Sequence, residues 1–338
     1  MSLSTPSSRY HCSLCAALSR LGAQHAAAQC APPQPQRRRF AAALLGAGAG
    51  LALPAAAREG VDVGKQSGFS KLVSAEQVEQ AATQQYAQLL QEARGKNALV
   101  SGDNTQTVRL RFVAQRIIPF TPEWNARAPG WKWEVNLLAS KQINAFCMPG
   151  GKIAFYTGLI EQLKLTDDEV SMVMGHEVAH ALREHARERM GKSAATNIGL
   201  ELGAALLGLG NASRTIAGMG AQLLQLKFSR DDESEADLVG MELAARAGYD
   251  PRSGVSLWTK MGQATGGAGG GSGSKLAEYG STHPQGPTRI HDIEANLPKV
   301  MPLYERAPKP TQRWDAGLGD SGDRKANKPA TPGREQAR

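Results

Sequence analysis

The five residues His176-Glu177-Val178-Ala179-His180 constrain this chain more than any other stretch, because they ask one helix to carry chemistry and a second to complete it. Residues four apart lie on one helical face, so two imidazoles at this spacing can reach a single Zn2+. Glu177, one step round, can approach a metal-bound water without ligating the metal. Zinc lowers the pKa of such a water to about 7, and a carboxylate beside it can take the proton as the water attacks a peptide carbonyl. Thr166 and Glu169 in TDDE form a capping box, which predicts a helix from there to about Met190. His185 lies nine residues past His176. That is about 900° of rotation on a continuous helix, which places it on the opposite, solvated face.

Two protein ligands do not complete a catalytic zinc site; a third is required. Arg183 and Ala186 exclude the pattern that would put a third histidine at 186. A carboxylate on a later helix is the remaining solution, with Glu201 in GLELGAALL and Glu233 in SRDDESEADLVG as candidates. Glu233 is preferred. Asp237 follows it by one helical turn, placed to accept the free N–H of a zinc-bound imidazole and so fix the tautomer. Ala236 and Gly240 share that face, and small residues let the helix approach the Gly175 and Ala179 side of the first. Ala205 occupies the matching place after Glu201. Without a metal, the acidic run would be an ordinary helix start favoured by the macrodipole.

The rest of the chain organises around that pair of helices. Residues 1–57 carry five arginines and no acidic residue. QRRRFAAALLGAGAGLALPAAA has a basic start, the 13-residue uncharged run Ala41 to Leu53, and Ala55 and Ala57 at an A-x-A cleavage site. Arg37-Arg38-x-Phe40 resembles a twin-arginine export signal, which points to the periplasm. The run falls short of the roughly 20 residues a membrane span needs. Outside this leader 34 basic residues face 31 acidic ones, with no basic stripe interleaved with aromatics, so nucleic acid is not an expected partner. Three of the four cysteines also fall in the leader; Cys147 remains, in an apolar stretch that suits a small core residue.

Residues 58–73 read as a polar linker, 74–303 as the main domain, and 304–338 as a disordered basic, proline-rich tail. Within the domain, Ser74 to Arg94 and Thr107 to Ile118 read as amphipathic helices. WKWEVNLLAS has the strand pattern, and INAFCMPGGKIAFYTGLI breaks at Pro149-Gly150-Gly151 as a hairpin would. The apolar, glycine-rich stretch 194–226 is read as helices that cover the site or touch a membrane surface. The acidic helix begins near Ser229 and ends at Gly248, and GGAGGGSGS at 266–274 is a flexible loop.

HEVAH, SRDDESEAD and STHPQGPTRI, in that order, resemble the M48 family of zinc metallopeptidases, which includes the Ste24, HtpX and Oma1 types. INAFCMPGGKIAFYTGL resembles the segment that precedes the metal helix in that family, and the likeness extends over about residues 74–297. It implies a mostly helical α+β fold of the zincin type, a gluzincin domain with a small sheet edge beside the metal helix. It implies one Zn2+ per subunit held by His176, His180 and Glu233, with Glu177 as general base. It also implies that His283 and Arg289 approach the site. Either could donate to a tetrahedral oxyanion, or His283 could fill the open metal position and hold the enzyme latent. The edge strand at Asn144 and Ala145 could pair with an extended substrate through its main chain. The expected function is an exported endopeptidase acting on misfolded, misassembled or damaged envelope proteins. The rival is a chaperone-like binder using the same groove, which would have no need of Glu177.

Overall fold

The computed structural model describes residues 58–206, 223–224, 226–264, 279, 282–283 and 288–315, with the backbone alone for 197–206. The leader, the glycine-rich loop at 266–274 and residues 316–338 lie outside the described residues, as do most of 207–226 and the side chain of Glu201.

The order of elements follows the sequence pattern closely. Helix α1 (Ala75–Gly95) starts where the Ser74 hydroxyl accepts from the Gln77 N–H, and α2 (Thr105–Ile117) is capped in the same way by Asn104. Three strands follow: β1 (Glu134–Leu138), β2 (Ala145–Met148) and β3 (Lys152–Tyr156). The hairpin turns at Gly150 and Gly151, both at positive φ (84° and 78°), a conformation that glycine adopts without a Cβ clash. Strand β3 lies in the middle, parallel to β1 and antiparallel to β2. That leaves β2 on an edge, with no strand on its outer side among the described residues. The fold is therefore α+β and mostly helical, with one small sheet.

Among the described residues the further helices are α3 (Thr157–Gln162), α4 (Asp167–Leu182), α5 (His185–Leu206), α6 (Arg230–Arg246), α7 (Ser253–Ala264) and α8 (Thr288–Arg306). Helix α4 begins with the expected capping box and is buried at almost every position, which is why its sequence lacks a polar stripe. It packs along α6, whose own capping box joins Ser229 and Asp232. Phe155, Leu159, Val170, Val173, Val239, Leu243 and Ile293 belong to the main core around these two helices.

Three expectations are corrected here. The metal helix does not run to Met190: Arg183 caps α4, Glu184 turns at φ 59°, and α5 starts afresh at His185. The segment 58–73 is packed rather than a free linker. Val61 is buried and its N–H donates to Glu242 Oε2 at 2.8 Å, and Gly68–Leu72 forms a 3-10 helix against α5. The tail is ordered through residue 315. Helix α8 continues past Leu303 to Arg306, and the Trp314 N–H donates to Asp167 Oδ2 at 2.8 Å, tying the tail to the start of α4. Among the described residues no helix is long and apolar enough to cross a membrane.

Candidate metal centre

Helices α4 and α6 cross at two glycines. A Cβ on Gly175 would lie 2.5 Å from the Gly240 carbonyl oxygen, and one on Gly240 would lie 2.5 Å from the His176 nitrogen. Bare backbone at the crossing brings the imidazole face of α4 onto the carboxylate face of α6. His176, His180 and Glu233 are each at most 3% exposed, and His283, reached through the chain after α7, completes the cluster.

The four side chains converge on one point. His176 Nε2 lies 3.1 Å from His180 Nε2, 3.5 Å from Glu233 Oε2 and 3.4 Å from His283 Nδ1. His180 Nε2 is 3.4 Å from Glu233 Oε1, and His283 Nδ1 is 2.9 Å from it. Tetrahedral zinc with bonds of about 2.1 Å separates its donor atoms by about 3.3 Å. The donor set and its spacing thus fit zinc. So does its electrostatics. Burial works against a charge on His176, but hydrogen bonds to Asp237 and Glu233 outweigh it and raise the imidazole to about 9. The site favours a cation at that nitrogen, whether proton or metal. Burial also opposes the Glu233 charge, yet the surrounding histidines hold its carboxyl well below the usual range. At His180 burial wins, and the imidazole is pushed well down, toward the neutral form a metal requires.

Behind the donors stands a supporting layer. His176 Nδ1 lies 2.9 Å from Asp237 Oδ1, so the Nδ1 proton faces the carboxylate and Nε2 faces the cluster. Arg289 donates to Asp237 from Nε (2.6 Å) and Nη2 (2.8 Å), and its Nη1 sits 2.8 Å from Glu233 Oε2. Its guanidinium lies over the Trp258 ring, 3.5 Å from the centroid. Glu177 is buried at 2% exposure, with Oε1 3.8 Å from His283 Nε2. The Tyr279 hydroxyl donates to Glu177 Oε1 at 3.0 Å, and burial raises the Glu177 carboxyl above the usual range.

The structure brings together His176, Glu177, His180, Glu233, Asp237, His283 and Arg289. Arg289 contacts two carboxylates behind the donors, donating to Asp237 and lying within ion-pair distance of Glu233. Asn144 and Ala145 lie at the start of the β2 edge and line one cavity with Glu177, His180, Leu224 and Phe228. His185 is the clear error. It is buried at 1% exposure, with Nδ1 2.9 Å from His180 Nδ1, because the turn at Glu184 brings it back toward the site. Tyr279, Phe228 and Trp258 were not anticipated. Tyr279 stacks on His283 (4.3 Å, 18°), Phe228 stacks on His180 (4.0 Å, 25°), and Trp258 meets His176 edge-on (5.5 Å). An aromatic four residues ahead of His283 was the one available signal. Cys147 is buried and free, as expected of a core residue.

Comparison with known proteins follows the same residues. The profile of Peptidase family M48 matches residues 105–297. The chain is 39% identical over 160 residues to the mitochondrial metalloendopeptidase OMA1 of Arabidopsis thaliana, covering 47% of this chain and 30% of that one. It is 34% identical over 184 residues to the protein of the same name in Schizosaccharomyces pombe (54% and 52% covered). It is 33% identical over 125 residues to the metalloprotease LoiP of Escherichia coli (36% and 48% covered). The chain thus spans about half, or less, of the length of these relatives.

Proposed function

This chain belongs to peptidase family M48, and from that premise we propose that it is a zinc-dependent endopeptidase of unfolded or damaged proteins. The observation that carries the proposal is the convergence of His176, His180 and Glu233 with a second, buried carboxylate, Glu177, beside them. Zinc in this cluster supplies Lewis acidity and an acidified water. The chain's own residues do the rest. Glu177 accepts a proton at its carboxylate and later returns it to the leaving amine. Its burial suits that exchange, because a carboxyl raised above its usual range holds a transferred proton better than a free one does. The Tyr279 hydroxyl, donating to Oε1, fixes which oxygen remains available. Asp237 and Arg289 hold the donor set in place.

Substrate enters along the β2 edge. An extended segment can add to the free side of this strand at Ala145 by main-chain hydrogen bonds, which read backbone rather than sequence, beside Asn144, whose own carbonyl accepts from the Tyr156 N–H. Apolar side chains opposite the edge, Leu223, Leu224, Leu226 and Phe228, offer a surface for an exposed hydrophobic residue. Those features favour unfolded or misassembled chains. The export-type leader at 1–57 supports a reading in which those substrates belong to the cell envelope and the enzyme works in the periplasm, in surface contact with a membrane through 194–226.

His283 has a second role under this proposal. With Nδ1 among the donor atoms, it would serve as a further donor to a bound metal in the resting enzyme and would give way to substrate. Replacing it by alanine then raises basal cleavage, whereas an oxyanion role lowers it. The reading as a whole is tested by casein cleavage with the chain and its Glu177→Gln variant at matched zinc content. Loss of cleavage with zinc retained supports the peptidase. Equal binding of unfolded casein with no cleavage by either protein favours the chaperone-like alternative.

A further inference from the structure

His180 is held on three sides. Phe228 stacks on its ring, Nε2 faces the donor cluster, and Nδ1 lies 2.9 Å from Nδ1 of His185. Two ring nitrogens at that distance share one proton, one donating and the other accepting. The direction is settled by what the far side of His180 must do. Were His180 Nδ1 the acceptor, a neutral ring would carry its proton on Nε2, aimed at His176 Nε2 3.1 Å away, and could not ligate. Ligation through Nε2 therefore requires His180 to donate from Nδ1 to a bare Nδ1 on His185. A neutral His185 then carries its own proton on Nε2.

That second proton points toward a carboxylate. Glu235 Oε2 lies 3.7 Å from His185 Nε2, and Oε1 of the same carboxylate is ion-paired with Arg183. The nitrogen is buried, and at this distance makes no hydrogen bond among the described residues. A shift of Glu235 on the order of 0.5–1 Å closes the contact to ordinary hydrogen-bond length. Glu235 stands on α6 two residues after Glu233, so the helix that supplies the carboxylate donor also supplies this charge.

We infer that His185, backed by Glu235, is a positioning residue that fixes the tautomer and ring orientation of His180 for metal ligation. His176 is supported directly by a carboxylate, Asp237; His180 is supported by a carboxylate acting through an intervening imidazole. The break at Arg183 and Glu184 then has a purpose. A continuous α4 would carry His185 to the far face, and the left-handed residue at 184 returns it to His180.

The inference rests on His180 being a zinc ligand. Its test uses the full chain, with zinc affinity measured by competition against a chromophoric chelator, and nitrogen-15 NMR of the histidine rings in the zinc-loaded protein. His185→Ala is expected to weaken zinc binding by about 10–100-fold, and His185→Asn, whose side-chain oxygen can accept in place of Nδ1, to stay within about threefold of wild type. Glu235→Gln weakens binding by several-fold while the metal-free melting temperature holds. The NMR spectrum places the His180 proton on Nδ1. A purely structural role predicts otherwise: His185→Ala and His185→Asn would melt early alike, and the zinc affinity of the folded fraction would match wild type. That result overturns the inference, as does a zinc-bound His180 with its proton on Nε2. If His185→Ala does not fold, the asparagine variant, Glu235→Gln and the tautomer decide in its place. Failure of the wild-type chain to bind zinc would remove the metal centre itself, a different outcome from equal binding by wild type and variant.

Discussion

Substituting Gly240 by alanine tests whether the helix crossing sets the metal geometry. The new Cβ would meet the His176 nitrogen at 2.5 Å, the Gly175 carbonyl carbon at 2.7 Å and the His176 Cα at 2.9 Å. All three are backbone atoms, so no side chain can swing away. Ordinary contact begins near 3.4 Å, so α4 and α6 must part by close to 1 Å. The donor separations that span the two helices are 3.5 Å from His176 Nε2 to Glu233 Oε2 and 3.4 Å from His180 Nε2 to Glu233 Oε1. Widening them by that amount takes them to about 4.5 Å, against the roughly 3.3 Å that a tetrahedral zinc shell spans.

Overpacking of this kind costs about 1–3 kcal/mol, while the better helix propensity of alanine returns about 1 kcal/mol. The net loss of stability is therefore modest, a few degrees of melting temperature at about 2–4 °C per kcal/mol. The loss of zinc affinity is larger, on the order of 10–100-fold, as when the support of a metal ligand is removed. Gly262→Ala on α7 supplies the control, since a Cβ there meets nothing within 4 Å and reports helix propensity alone. Chelator competition and thermal melting of both variants give the answer. If Gly240→Ala binds zinc as wild type does and melts like Gly262→Ala, the crossing does not set the site.

Asp237→Asn removes the negative charge behind the His176 Nδ1 proton and one of the two carboxylates that grip Arg289, and should weaken zinc binding by about 10–100-fold in the same competition assay. His176 in the metal-free fold is raised to about 9 from the ordinary imidazole value of about 6.5, so its contribution to stability is full below about pH 6.5 and is lost as pH rises through about 9. The metal-free melting temperature should therefore fall across that window, and that part of the fall should vanish in His176→Ala. At pH 7.5 zinc must displace the His176 proton, so calorimetry in buffers of different ionisation enthalpy should report release of about one proton. Deleting residues 307–338 removes the Trp314 N–H bond to Asp167 and the Arg313 pair with Asp168, and should lower stability by about 1–3 kcal/mol in denaturant titration.

What was legible in the sequence is what depends on register within one helix. His176 with His180, and Glu233 with Asp237, share faces because helical rotation is fixed whatever surrounds it. Their meeting could be read from Gly175 and Gly240, the small residues that permit it. The error at His185 has a single cause: neither Arg183 nor Glu184 is a breaker, so nothing in the local residues announces a left-handed turn at 184. Phe228 reaches the site from a connecting segment, whose position answers to tertiary contacts rather than periodicity. The tail beyond Leu303 has the prolines and charges of a disordered segment, but the Arg313 charge has partners on α4 in Asp167 and Asp168. Composition cannot reveal a partner that lies some 145 residues away.

Charge accounting links the ligand set to the identity of the cation. The buried cluster of His176, His180, His283, Glu177, Glu233, Asp237 and Arg289 contains three carboxylates and one guanidinium, and each of these residues is at most 3% exposed. With neutral imidazoles that leaves two uncompensated negative charges away from water, which is costly unless something offsets them. A divalent cation balances the sum; a monovalent one does not. Without metal the cluster must recruit protons instead; His176, raised to about 9, takes one up, and burial raises the Glu177 carboxyl in the same direction. Metal binding at His176 therefore displaces the proton held there. A metal-free protein that kept His176 deprotonated at neutral pH would contradict this balance, and with it the assignment of a divalent ion to the cluster.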